Sequence, residues 1–317
     1  MNPFLLASLV PALVAAAPRQ APVRPGPDRE VLSLDREVLS MGTRLRVSLP
    51  EGGGAAVDPA LAEAGRLEAA CSTWDPVSAW SRLNAQGEAD LDPEWAALLS
   101  AAKGWSERTG GAFDPALGRL IEAWGLRHGG TTPDEATLRA AREASGAAKL
   151  EIRGNHVRLA QGAWIEEGGF LKGYALDRMR SKLVAAGAKR GLLDFGGQLL
   201  AWGHSMPVSV ADPRERERPR LTFRLRDASL SCSGTSERGR HILDPATGRP
   251  CEAWGSVAVV MPSGFDADCL STALYVMGPD RGLAWAEAHG AAAAFLPNDG
   301  APRLSTAFKA LHPSESR

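Results

Sequence analysis

Five short apolar runs follow one another between residues 191 and 234: GLLDF, QLLAW, PVSVA, LTFRL and SLSCS. No helical stretch separates them, and Gly196-Gly197 joins the first two. Strands that succeed one another without a long crossover pair antiparallel, because a parallel pair needs a connection of a dozen or more residues. Helical patterns are grouped before and after this block. Segregated strands and helices predict an α+β class, largely antiparallel sheets with packed helices, and not a doubly wound fold.

The other elements are read mainly from their ends. VLSMGTRLRVSLP (38–50) alternates as a strand, and the glycines at 52–54 end it. Asp58-Pro59, Asp92-Pro93 and Thr132-Pro133 each read as an N-cap followed by a first-turn proline. They start helices running towards Cys71, to a stop at Gly110, and to about Ser145. KLEIRGNHVRLA (149–160) reads as a hairpin with Gly154-Asn155 at its turn. A helix is expected over Gly173–Ala186. SVAVVM (256–261) reads as a strand, followed by helices over 266–277 and 280–289 and the strand AAAAFL. Residues 35–310 form one domain in this reading.

The 317 residues, 44% of them hydrophobic, are enough for one large domain or two ordinary ones. A net charge of -1 without a basic stripe excludes a general nucleic-acid binder. RERERPR (214–220) alternates acids with its arginines and reads as a solvated loop or exposed strand. Residues 1–17 carry an apolar run from Phe4, too short to span a membrane, with small residues at Ala15, Ala16 and Ala17. This reads as a secretory signal, followed by a Pro-rich linker over 18–34. The expected location is exported, on the periplasmic or cell-envelope side, with an uncleaved N-terminus able to act as a tether. Cys71, Cys232, Cys251 and Cys269 have no zinc-type spacing and read as four small buried residues.

Four stretches offer chemistry. EEGGFLKGYALD (166–177) sets two carboxylates before a Gly-Gly pair and a lysine at a helix start. Glycines allow close backbone approach, and a helix N-terminus favours an anion. Taken alone, the stretch reads better as a glycine turn with a solvated lysine. In FDADCLSTALYVMG (265–278), Asp268 and Thr272 are four apart and share a helix face. Carboxylate and hydroxyl are hard oxygen ligands suited to magnesium, although Asp266 or Asp268 could instead cap the helix. HILDPATGRP (241–250) is a tight turn whose His241 suits proton transfer near neutral pH. GGAFDPALGRLIEAWG (110–125) offers Phe113 for ring stacking and Asp114 for a donor, or Asp114-Pro115 as another helix start.

In this order, together with MGT (41–43), CSTWDPVSAWSRLN (71–84), LLDFGGQLLAWG (192–203) and SCSG (231–234), these motifs resemble the ApbE family, the FAD:protein FMN transferases. The likeness runs from about Met41 to His289. It implies a T-fold-like catalytic domain that uses Mg2+ to split FAD at its pyrophosphate. FMN then passes to a Thr or Ser hydroxyl of an acceptor protein and AMP is released. Carried over by position, the resemblance implies Asp268, Thr272 and the Gly169 carbonyl as metal ligands. It implies Met41, Trp74, Ala112, Phe113, Asp114, Glu166, Lys172 and Ile242 as flavin-nucleotide contacts. His241 or the metal-bound carboxylate of Asp268 then accepts the hydroxyl proton. An FAD pyrophosphatase and a non-catalytic FAD-binding protein are the alternatives.

The chain departs from the family pattern in places. Glu166-Glu167 stands where Asp-Leu is usual, and Phe170-Leu171 replaces a smaller apolar pair. Family acceptors carry a D-x-x-[ST]-G-A-[ST] site, whereas REASGAA (142–148) lacks its leading Asp and final hydroxyl. The expected acceptor is therefore a separate exported or membrane-anchored protein.

Overall fold

The structure is a computed structural model that describes residues 34–50, 53–235 and 241–315. The secretory run and, apart from Leu34, the Pro-rich linker lie outside the described residues. The chain opens with a hairpin, β1 (Leu34–Ser40) and β2 (Thr43–Leu49). This corrects the single strand expected over 38–50: Met41 and Gly42 turn the chain at positive φ, 46° and 71°. Next come α1 (Val57–Cys71), α2 (Ala79–Gln86), β3 (Glu88–Asp90), α3 (Pro93–Arg108), α4 (Gly118–Ala123) and α5 (Glu135–Glu143). Asp92 caps α3 as expected. Two other starts differ: Asp58 lies inside the first turn of α1, and Asp134 rather than Thr132 caps α5. The hairpin at Gly154-Asn155 is β4 (Leu150–Arg153) and β5 (His156–Leu159).

The second half opens with α6 (Leu171–Ala185), then β6 (Gly191–Phe195), β7 (Gln198–Ala211) and β8 (Pro219–Gly234). The five predicted short strands are three, because β7 and β8 each absorb two runs into one long bulged hairpin. A small ribbon follows, β9 (Leu243–Asp244) and β10 (Arg249–Pro250), and then β11 (Gly255–Met261). Next is α7 (Gly264–Ala288), which holds the two helices expected there, joined at a kink where Gly278 takes a non-helical backbone conformation before Pro279. The chain closes with β12 (Ala292–Pro297), β13 (Arg303–Leu304), α8 (Thr306–Lys309) and β14 (Ser314–Glu315).

The main sheet runs β1-β2-β6-β7-β8-β11-β12-β13, with β14 added beside β8, and every described pairing in it is antiparallel. Its central strands are buried on both faces. Leu200, Trp202, Val257, Val259 and Phe295 enter the core under the helices, whereas Leu199, Ala201, Ala258 and Leu296 enter a second core with Phe308. Burial on both faces is why these strands read as continuous apolar runs instead of strict alternation. On the helical side, α1 presents Val57, Ala60, Ala64, Leu67 and Cys71 at helical spacing. Two of the four cysteines, Cys71 and Cys269, are buried as expected; Cys251 is part-exposed and Cys232 exposed, and none forms a disulfide.

A charged network ties α1, α3 and α6 together beside this core. Glu63 accepts from Arg66 at 2.8 Å and from Arg178 at 3.1 Å, and Glu94 accepts from Arg66 and the Tyr174 hydroxyl. Arg66 first, and then Arg178, hold the Glu63 carboxyl down at about 2 against an ordinary 4.5. The folded value is the lower one, so this stabilisation is present above the ordinary carboxylate value and is lost as pH falls towards 2. Glu63→Gln should therefore cost about 1–2 kcal/mol at pH 7, allowing for solvent around the arginines, and little at pH 2. Chemical denaturation at the two pH values checks this. Gly173→Ala should cost about 1–3 kcal/mol or more by the same method, because a Cβ there would lie 2.1 Å from the Gly264 carbonyl oxygen.

Candidate active site

Two helices cap each other at the centre of the molecule. The first turn of α6 has no side-chain cap of its own, which leaves backbone N–H groups to be satisfied. Asp268, in the second turn of α7, accepts from Gly173 N at 3.0 Å. In return Asp177 of α6 accepts from Gly264 N at 2.8 Å, Phe265 N at 3.0 Å and Ser263 Oγ at 2.7 Å. Ser263 accepts from Asp266 N, and Asp266 from Trp105 Nε1 at 2.7 Å. Neither Asp266 nor Asp268 caps its own helix, since Ser263 and Asp177 do so; Asp268 serves the first turn of α6 instead. The helices approach this closely because glycines meet: a Cβ on Gly264 would lie 2.5 Å from the Gly173 carbonyl oxygen.

The lock brings several oxygen donors to one part of the cavity wall. Asp268 is only 6% exposed, yet it lines a cavity. Lys172 Nζ lies 3.8 Å from its carboxylate and 3.2 Å from the Gly168 carbonyl oxygen. Thr272 follows one turn along α7, and a Cβ at Gly169 would be 3.5 Å from its hydroxyl and 3.2 Å from the Phe113 ring. Glycine at residue 169 lets the main chain sit this close without pressing a Cβ on the Phe113 ring. The donor set of one carboxylate, one hydroxyl and one carbonyl fits magnesium, which keeps waters and substrate phosphates in its other positions. No cluster of three or more His, Cys, Asp or Glu occurs among the described residues.

The cavity measures about 1660 Å³ and collects nearly every residue singled out in the sequence. Trp74, Ala112, Phe113, Asp114, Glu166, Gly169, Lys172, His241, Ile242, Asp268 and Thr272 all line it. Met41 does not; it sits at the β1–β2 turn, packed against the core. Phe113 is buried edge-on against Phe170, so its contribution is a wall more than an open stacking face. Both Asp114 oxygens serve the protein, accepting from Ala116 N and Ala147 N at 2.8 Å. Burial pushes its carboxyl above the usual range. No helix starts at Asp114-Pro115; α4 begins at Gly118. The turn carrying His241 and Ile242 is built by Asp244, which accepts from Ala246 N and the Thr247 hydroxyl, while Trp124 Nε1 donates to Gly248 O at 2.7 Å. Asp212, Pro213, Arg216 and Glu217 also line the cavity, so the RERERPR stretch is a wall as well as a solvated turn.

The unusual residues at 166–171 divide by direction. Phe170 and Leu171 are buried in the core, Phe170 against Trp80, Phe113 and Phe265. Glu167 is also buried and accepts from Thr73 N at 3.0 Å and from the Thr73 hydroxyl. Burial, and then the neighbouring Glu166 charge, push its carboxyl up. Glu166 alone of the four lines the cavity, paired with Arg127. Sequence reasoning missed several contributors. Asp177 and Arg127 gave no local signal, because each acts on a residue far away in the chain. Ser271 joins Ser231 and Ser233 at 3.0 and 2.9 Å beside Asp268. Gln198 lines the cavity and spends its amide N–H groups on Gly264 O and Ser229, which leaves its buried Oε1 without a protein partner.

Comparison with known proteins agrees with this geometry. The model of the ApbE family matches residues 41–296. A FAD:protein FMN transferase of Treponema pallidum is 32% identical over 242 residues, covering 65% of this chain and 67% of that one. One from Rhodobacter capsulatus is 35% identical over 209 residues, 60% of this chain and 40% of the relative's own length. The apo structure of the Pseudomonas stutzeri flavinyl transferase ApbE superposes with a TM-score of 0.81 at 28% identity, covering 88% of this chain and 96% of that one. The Thermotoga maritima ApbE structure gives 0.82 at 27% identity, with 88% and 98% covered. The overall fold is thus that of these structures, and the chain belongs to the ApbE family.

Proposed function

We propose that this protein transfers FMN from FAD to a hydroxyl of an acceptor protein and releases AMP. The observation that carries the reading is the convergence of Asp268, Thr272, Gly169 and Lys172 on one wall of the cavity. A carboxylate, two further oxygen donors, an ammonium and a helix N-terminus side by side suit a metal-bound pyrophosphate and little else. The relatives named as FAD:protein FMN transferases support the same reading.

Asp268, Thr272 and the Gly169 main chain would hold Mg2+, which would supply charge neutralisation on the phosphate oxygens. Lys172 neutralises the same anion from the start of α6. Trp74, Glu166 and Ile242 bound the space for the nucleotide, and the unpartnered Gln198 Oε1 offers one buried acceptor to a ligand N–H or O–H. In the transfer, the acceptor oxygen forms a bond to the FMN phosphorus as the bond from that phosphorus to the AMP oxygen breaks. His241, which lines the same cavity, takes the hydroxyl proton. The apolar run at residues 4–17 supports an exported protein acting on an exported or membrane-anchored acceptor with a D-x-x-[ST]-G-A-[ST] site.

Incubation of the protein with FAD, Mg2+ and a D-x-x-T-G-A-T peptide should add one FMN mass to the peptide with matching AMP. AMP without the adduct would assign water as the acceptor, and bound but intact FAD would overturn the reading. Asp268→Asn can still accept from Gly173 N and should keep the thermal midpoint, while turnover falls about 100-fold or more. His241→Ala should slow transfer about 100-fold or more with FAD binding retained; an unchanged rate would remove the histidine from the proton transfer.

A further inference from the structure

Arg127 lies in the closed turn after α4, where Gly130 N donates to Gly125 O at 2.9 Å and Thr131 N to Trp124 O at 2.8 Å. Leu126, Gly129 and Gly130 of this turn line the cavity. Arg127 itself is not part of the lining, yet it touches two lining residues, Trp74 and Glu166, and Thr73 beside them. Its guanidinium donates to the Thr73 carbonyl, to the Thr73 hydroxyl and to Glu166. Its central carbon lies 4.8 Å from the centre of the Trp74 ring. The side chains of Arg127 and Glu166 are 22% and 14% exposed, so the pair is shielded from bulk water. Trp74, by contrast, is 60% exposed, and one face of its ring carries the guanidinium.

Thr73 is the hub of this arrangement. Its hydroxyl meets Glu166, Glu167 and Arg127, and its N–H donates to Glu167. Two adjacent carboxylates repel each other at this hub, and the guanidinium offsets that repulsion at Glu166. Glu166 is one methylene longer than the aspartate usual in the family, and it uses one oxygen, Oε2, on Arg127 and Thr73. The fork of Arg127 therefore fixes two wall residues relative to one another, the Trp74 ring and the Glu166 carboxylate.

We propose that Arg127 is a positioning residue for the flavin nucleotide: it backs the Trp74 ring as a stacking platform and orients Glu166 towards a ligand donor. The inference rests on the placement of FAD in this cavity. Because Arg127 touches the wall and not the reacting phosphorus, its loss weakens FAD binding much more than it slows the chemical step. Lysine carries the charge without the planar fork, so it restores the Glu166 pair and not the grip on Thr73.

The test is a set of variants of the full chain, assayed for FAD affinity by flavin fluorescence and for FMN transfer to the peptide. Arg127→Ala should raise the Kd for FAD about 10- to 50-fold, with kcat at saturating FAD within about threefold and KM for the peptide unchanged. Arg127→Lys should recover part of the loss. In a Trp74→Ala, Glu166→Gln background the same Arg127→Ala change should matter less than about twofold, because the residues it positions are gone. Should Arg127→Ala not fold, Arg127→Gln and Arg127→Lys carry the same comparison. Normal FAD affinity in the Arg127 variants, with Trp74→Ala weakened, would overturn the positioning function and leave the FAD site intact. An effect of Arg127→Ala equal in both backgrounds would also overturn it. Normal affinity in Trp74→Ala and Glu166→Gln as well would overturn the placement of FAD and the inference with it.

Discussion

The reciprocal capping of α6 and α7 is the constraint on which the rest of the site depends. A carboxylate buried to 6% exposure is costly unless something holds its charge, and Asp268 is held by a backbone N–H and an ammonium. The same contact sets the distance between the helices, because Gly173 and Gly264 leave no space for a Cβ. With the helices locked, Gly169 falls beside Thr272, and the Gly-Gly turn opens onto the cavity. The hydroxyl cluster of Ser231, Ser233 and Ser271 then ties α7 to β8 on the opposite side. The site is thus built by satisfying helix ends, and it presents groups that also suit a metal-bound diphosphate.

Around this centre the wall is assembled from segments with their own local cores. The His241 turn is held by Asp244 and by Trp124, and a small cluster of Leu120, Leu138 and Leu243 packs beneath it. The Trp74 loop follows α1 and is secured by Thr73 to both Glu167 and Arg127. Mobility of the Trp74 loop would cost binding before it cost chemistry, because Asp268 and Thr272 sit on α7 and not on that loop.

Much of the site was legible in the sequence, and the reason is spacing. Asp268 and Thr272 share a helix face at four residues, and Gly168-Gly169 announces a close approach, so these positions needed only local rules. Each also had an ordinary explanation, and the choice between the two came from contacts across the chain. Asp268 was equally readable as the cap of its own helix, but Ser263 and Asp177 occupy that function and Asp268 caps α6. Glu167 and Phe170, unusual for the family, turned out to face the core, whereas Glu166 alone of the unusual positions at 166–171 faces the cavity. Alternation along a loop does not decide which side of it faces the core.

By itself, the sequence determined the antiparallel α+β class, the hairpin at Gly154-Asn155, the cap at Asp92 and the family. The first three depend on turn chemistry and on short apolar runs that follow one another without an intervening helix, and the family on the order of the motifs that carry the resemblance. Only the tertiary structure decided that five strand runs are three strands, that the first strand is a hairpin, and that Met41 lies outside the cavity lining. It also decided the partners of Arg127 and Asp177, which are separated from them by 39 to 88 residues. Local periodicity reports which face of an element is buried. It carries no information about which distant group supplies the missing hydrogen bond, and that pairing is what makes the site.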